Sequence, residues 1–326
     1  MGIVFKDGRF KREKKIIQKD AATVTALQKL RSFLDRSEPE LVYFLVNTWR
    51  LQEKAITYKE LREAILAGDI DADILNDWMQ DYNLFVVKYL QPAWEKAIVT
   101  AASVIEQKYP DWHFDPMGDG VREWTAAHSA EFVTSVTTTQ IEGLRAVIRK
   151  AAVLEDMSVD SLARAIRPMV GLYHQQSVAN LNYYETLINN GMSEKRALDL
   201  SVRYSARQHR YRAYNIARTE LAFAYNQGSY EGTKQAHAAG YMGETVKVWC
   251  TAEDERVCEV CGGLEGKEIA MDDDIYYEIK DRDGNTSRRR INPKLTEPAT
   301  GKVPPAHPSC RCAVMYKEIA PPKKIT

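Results

Sequence analysis

The 326-residue sequence has no long apolar run, and a helix needs about 20 consecutive apolar residues to cross a bilayer, so no membrane span is expected. It has no charge surplus: 45 Lys and Arg stand against 45 Asp and Glu. A protein that coats nucleic acid needs a basic excess, so this balance argues against wholesale coating. The first residues, Met1 to Gly8, place no apolar core behind a basic start, and no signal peptide is expected. The sequence lacks a Gly-rich phosphate loop, a Ser nucleophile elbow and a His-Glu-x-x-His helix. It also lacks internal repeats and low-complexity segments. The length allows two domains, or one with a helical extension, and 44% hydrophobic residues suffice for a core.

No cysteine occurs before position 250, and all five lie between 250 and 312. Cys258 and Cys261 form a Cys-x-x-Cys knuckle, and His307, Cys310 and Cys312 form His-x-x-Cys-x-Cys. A tight turn brings two thiolates to one side in the first cluster, and the same device serves His307 and Cys310 in the second. If the chain is extended after Cys310, Cys312 faces the same way as Cys310, giving three candidates for two positions. Gly262, Gly263 and the prolines at 304, 305 and 308 suit sharp turns. The pattern points to a structural Zn2+ held by Cys258, Cys261 and two of the three residues His307, Cys310 and Cys312. A disulfide, buried free thiols or a catalytic zinc are the other readings. Clustered cysteines in a chain without an export signal favour metal over disulfides. Cys250, beside Trp249 in an apolar run, reads as a buried thiol.

Several short runs carry a family resemblance: Ile216-Ala217-Arg218-Thr219-Glu220-Leu221-Ala222, Tyr225-Asn226-Gln227-Gly228, Lys247-Val248-Trp249, Asp254 to Cys261, Leu264-Glu265-Gly266-Lys267, and Pro304 to Cys312. In this order the sequence resembles the Mu F-like family of phage head morphogenesis (minor capsid) proteins, over about residues 120–316. The resemblance implies a non-enzymatic head component associated with the portal vertex during procapsid assembly, and, because the family-like run keeps His307 and Cys310 together, it favours Cys258, Cys261, His307 and Cys310 as the metal ligands with Cys312 as the alternative. Its implied partners are the portal protein and other phage head proteins, with contact to packaged DNA in some phages and no membrane. Its implied locations are the virion head and, during assembly, the host cytoplasm.

Periodicity predicts an α+β fold, mainly α-helical, with a small C-terminal antiparallel β unit clipped by the Cys/His metal site. Residues 1–20 are basic and read as a flexible arm, either solvated or in contact with DNA or an acidic partner. Residues 21–110 form an N-terminal helical region. In it Ser37-Glu38-Pro39-Glu40 reads as a helix start, Gly68-Asp69 as a break and Pro92 as a helix opening. Its aromatic residues read as core. The turn-rich stretch 110–120 marks a boundary. Residues 120–240 carry helices again. One starts near Ser158 and ends at Pro168, one follows Ser193, and the longest is expected from about Arg207 to Ala239 with Gly240 as its stop. Its apolar stripe is Tyr214, Ala217, Leu221, Ala224 and Tyr225. Arg218 and Glu220 on that helix have no opposite charge three or four positions away, so their partners must come from elsewhere. A structural role for both, tying this helix to the cysteine-bearing part, is the favoured reading.

Between 244 and 318 the period becomes two. Val246, Val248 and Cys250 alternate with Lys247 and Trp249. Residues 275–280 and 286–291 read as a hairpin turning at Asp283-Gly284, with Asp272-Asp273-Asp274 on one arm and Arg288-Arg289-Arg290 on the other. Residues 313–315 read as a last strand and 319–326 as a tail. Two other functions stay open: a zinc-containing DNA-binding module using Lys6–Lys15 and Arg288–Arg290, and a hydrolase using Cys258 or Cys310 with His307 and Glu220.

Overall fold

A computed structural model describes residues 21–154, 156–252, 257–280, 285–292 and 301–322. The basic arm at 1–20, the Asp254–Arg256 stretch, the Asp283-Gly284 turn and the end of the tail lie outside the described residues. The fold is α+β and mainly helical. The helices are α1 (Ala21–Ala55), α2 (Tyr58–Ala67), α3 (Ala72–Phe85), α4 (Gln91–Lys108), α5 (Asp119–Ala151), α6 (Val159–Ile166), α7 (His174–Asn189), α8 (Glu194–Ala238) and α9 (Glu259–Leu264). The strands are β1 (Thr245–Cys250), β2 (Glu268–Ala270), β3 (Tyr276–Lys280), β4 (Thr286–Arg290) and β5 (Ala313–Glu318). Among the described residues no helix is long and apolar enough to cross a membrane.

Local chemistry sets most boundaries. Thr57 and Glu60 form a reciprocal capping box at the start of α2, and Gly68 closes that helix in the left-handed conformation, φ 72°. Ser158 caps α6, and Pro168 sits in the short 3₁₀ turn that follows it. Pro92 lies in the first turn of α4, after a π-helical turn over Val86–Leu90.

Three sequence expectations are corrected. Residues 37–40 do not start a helix, because α1 runs straight through Pro39. Leu34, Leu41 and Leu45 are buried on either side of the proline, and that packing outweighs the missing backbone bond. The segments after Ser193 and from Arg207 are one helix of 45 residues. Gly262 and Gly263 lie inside α9, not in a sharp turn.

The helices before and after the 110–120 connection share one core. Leu41, Leu45, Trp94, Ile98 and Ala101 from the first part pack with Ala217, Leu221, Ala224 and Tyr225 of α8. The aromatic residues Trp49, Trp78, Phe85 and Trp94 are buried, as their spacing implied. Tyr214 departs from the expected stripe: it is exposed, with the Arg218 guanidinium 4.5 Å from its ring centre.

The β part is antiparallel and falls into two pieces. One is a three-stranded sheet of order β2-β1-β5, in which Val248 pairs with Met315 and with Glu268. The other is the β3–β4 hairpin, with Tyr276 opposite Arg290 and Glu278 opposite Arg288. Within the hairpin Arg290 pairs with Asp274 at 3.2 Å, and Arg288 lies 4.2 Å from the Tyr276 ring centre. Asp272 accepts from the Tyr230 hydroxyl at 2.9 Å.

Candidate metal centre

The five sequence-predicted Cys and His residues converge at one end of the β part. Cys258 is the N-cap of α9, its sulfur accepting from the Cys261 backbone N–H at 3.4 Å. This one-turn helix puts both sulfurs on the same side. His307 comes from the loop before β5, and its Nε2 lies 3.2 Å from Cys258 Sγ and 3.3 Å from Cys261 Sγ. Nδ1–H of His307 donates to the Pro308 carbonyl at 2.9 Å, a tautomer that leaves the Nε2 lone pair facing the sulfurs. Cys310 Sγ lies 3.8 Å from Cys261 Sγ.

These spacings suit a tetrahedral ion. Zinc about 2.3 Å from each thiolate sets neighbouring sulfurs about 3.8 Å apart, the Cys261–Cys310 separation. The donors fall into two groups, Cys258, Cys261 and His307, and Cys261, Cys310 and Cys312; within each, all donor atoms lie within 4.8 Å of one another. Cys261 belongs to both groups and joins them. Cys310 and Cys312 do share a side, as an extended chain requires. Without metal, hydrogen bonds from Cys261 and Cys312 hold the Cys310 thiol well below the ordinary thiol range, and the contact with Cys310 pushes Cys261 up.

Helix α8 holds the cysteine-bearing loop by three handles. Thr219 Oγ1 accepts from the Ser309 N–H at 2.8 Å, and Asn215 Oδ1 accepts from the Ser309 hydroxyl at 2.7 Å. Ser309 adopts φ 58°, a conformation rare for a residue with a side chain, and these two bonds fix it. Asn226 then donates to the Cys312 carbonyl at 3.3 Å and accepts from the Val314 N–H at 3.2 Å. Trp249 on β1 is buried in one cluster with Cys261, Cys310, Cys312 and Leu264.

Arg218 and Glu220 sit on the same helix but reach other partners. Arg218 binds Glu38 of α1. Glu220 accepts from His128 Nε2 of α5 at 2.8 Å, and the imidazole stacks on Trp124, ring centres 4.7 Å apart. Tying α8 to the cysteine-bearing part therefore falls to Asn215, Thr219 and Asn226. Sequence reasoning missed these, as well as His128 and Glu38. The unpaired charges at 218 and 220 signalled that distant partners existed without naming them. Lys247 was also missed: it is fully buried, donating from Nζ to the Asp273 carbonyl at 2.6 Å and the Lys302 carbonyl at 3.0 Å.

Neither a curated protein nor a solved structure matches the chain. Helices α6 to α8, the Cys/His cluster and the first half of β5 fall together in one matched stretch: residues 158–315, just under half of the chain, fit the model of the family described as Phage Mu protein F like protein, and that region is similar to the Mu F-like phage proteins.

Proposed function

We propose that this chain is a minor head protein that associates with the portal vertex and takes part in procapsid assembly, without catalysing a reaction. The family match over residues 158–315 carries this reading, since it points to phage head morphogenesis and a place in the virion. The cluster suits the same role. Cys258, Cys261, His307 and Cys310 would hold a zinc ion, with Cys312 in reserve. The ion would supply a cross-link between α9 and the loop before β5, closing a long excursion of chain. All four ligands come from the protein, and a catalytic zinc keeps one position open. Glu220, the carboxylate a hydrolytic reading would use, is held by a buried histidine.

The test is native mass spectrometry of the chain co-expressed with the portal protein encoded beside it. A complex carrying one zinc mass per copy of this chain supports the reading. A metal-free chain that ignores the portal sinks it, as would a purified chain that hydrolyses a peptide, nucleotide or phosphodiester and stops doing so on Glu220→Ala.

A further inference from the structure

A groove of about 650 Å³ runs between α5, α8 and the Pro305–Pro308 loop. Its wall on α5 extends from His128 to Thr139, which at about 1.5 Å per residue is about 16 Å, the length of three helical turns. Phe132, Val136 and Ile216 make its middle apolar. Its two ends differ in charge. At one, Glu220 and Glu131 line the wall; at the other stands Arg212.

Arg212 is the unusual member. It is 5% exposed, and its guanidinium donates to the Gly171 carbonyl at 2.5 Å and to Thr139 Oγ1 at 2.8 Å. It also lies 5.3 Å from the centre of the Trp49 ring. Both acceptors are neutral, and among the described residues no carboxylate forms an ion pair with it. Buried charges are ordinarily paired, because desolvation is repaid only by an opposite charge. Elsewhere along α8 the charged side chains meet ionisable partners: Arg218 binds Glu38, and Glu220 accepts from His128.

We infer that this groove seats a segment of the portal protein in which a carboxylate side chain is flanked by apolar residues, the carboxylate meeting Arg212. The inference rests on the portal reading above and adds the surface and the chemistry of its partner. A nucleic-acid strand is the poorer occupant: its phosphates would follow the groove into Glu131 and Glu220. A peptide puts one anion at Arg212 and apolar side chains on Phe132 and Val136. The roof also links docking to the metal. Asn292, at φ 49°, donates to the Pro305 carbonyl, and His307 anchors the same loop in the Cys/His cluster. Closing the cluster therefore shapes one wall of the groove.

The experiment places a photoreactive benzoylphenylalanine at Ser135, on the exposed groove rim, or at Val153, 75% exposed in the turn after the C-terminal end of α5, in chain co-expressed with the portal protein. The expected result is a cross-link from Ser135 to a portal peptide with Asp or Glu beside apolar residues. Arg212→Met should reduce that product roughly tenfold, the scale of a lost hydrogen bond to a charged group. Because Arg212→Met risks misfolding, Ser135→Trp is a second probe: it fills the groove from an exposed position and should lower the yield of complex while leaving the circular dichroism unchanged. A complex that cross-links from Val153 but not Ser135, or that ignores both substitutions, overturns the inference and leaves the portal reading standing. If no complex forms, both fall.

Discussion

Arg218 on α8 grips Glu38 on α1 with two parallel hydrogen bonds, Nε to Oε1 at 2.6 Å and Nη2 to Oε2 at 2.9 Å. The two side chains are only 13% and 5% exposed, so solvent screens the pair little. Glu38 immediately precedes Pro39, so the bridge clamps α1 at the turn where its backbone bonding is weakest.

Removing one partner should therefore cost far more than removing both. Arg218→Met is expected to lower unfolding free energy by about 3 kcal/mol, because it strands a buried carboxylate. Adding Glu38→Leu should restore most of it. Urea titrations of the two single variants and the double variant form the cycle. A loss below about 1 kcal/mol in the single variants would mean that the pair behaves as an exposed one.

Gly228 explains part of the Tyr225-Asn226-Gln227-Gly228 run. A Cβ there would meet the Ile98 carbonyl oxygen at 2.4 Å and its Cα at 2.5 Å, so α8 and α4 touch backbone to backbone at this point. Helix propensity alone favours alanine over glycine by up to about 1 kcal/mol. Overpacking reverses the sign: Gly228→Ala should destabilise by about 1–3 kcal/mol, read as a lower urea midpoint. A gain in stability would show that the helices separate freely.

The sequence made the helical class, the strand at Val246–Cys250 and the convergence of Cys258, Cys261, His307 and Cys310 legible, because each rests on local spacing. It hid whatever depends on contacts far along the chain. Pro39 looked like a helix start since the Arg218–Glu38 bridge and the buried leucines around it lie outside any local window. The junction near Arg207 looked like a helix start since nothing local marked its continuity with the segment after Ser193. Lys247 alternated correctly but gave no sign of being buried, because its acceptors are backbone carbonyls at 273 and 302. Strand β2, three residues long, is too short for a periodicity to register.

Lys247 makes stability depend on pH. Burial pushes its pKa down to about 8 from the ordinary lysine value of 10.5. Between those values the unfolded chain holds more protons than the native one, so stability rises with pH through the window. The expected gain in the metal-loaded protein is about 1–2 kcal/mol from about pH 7.5 to 9.5. Lys247→Met should flatten that slope, at the cost of two unsatisfied carbonyls and a lower midpoint throughout. Urea midpoints at the two pH values check it, and equal slopes in both proteins would remove Lys247 as the source.

The metal prediction separates the five donors. Cys258→Ser, Cys261→Ser and Cys310→Ser should each bring bound zinc to near zero and melt the β part before the helices. Cys312→Ser should keep one equivalent, because His307 already faces Cys258 and Cys261 with its tautomer fixed by Pro308. His307→Ala decides between the ligand sets. If Cys312 replaces the imidazole, metal stays bound in His307→Ala and is lost in Cys312→Ser, the opposite of the expected pattern. Cobalt substitution reads the same choice spectroscopically, since a fourth sulfur strengthens the thiolate-to-metal absorption. The outcome also bears on the groove. Only a histidine-ligated ion pulls the Pro305–Pro308 loop directly, so a four-cysteine site would leave that wall to the hydrogen bonds of Ser309 and Asn292.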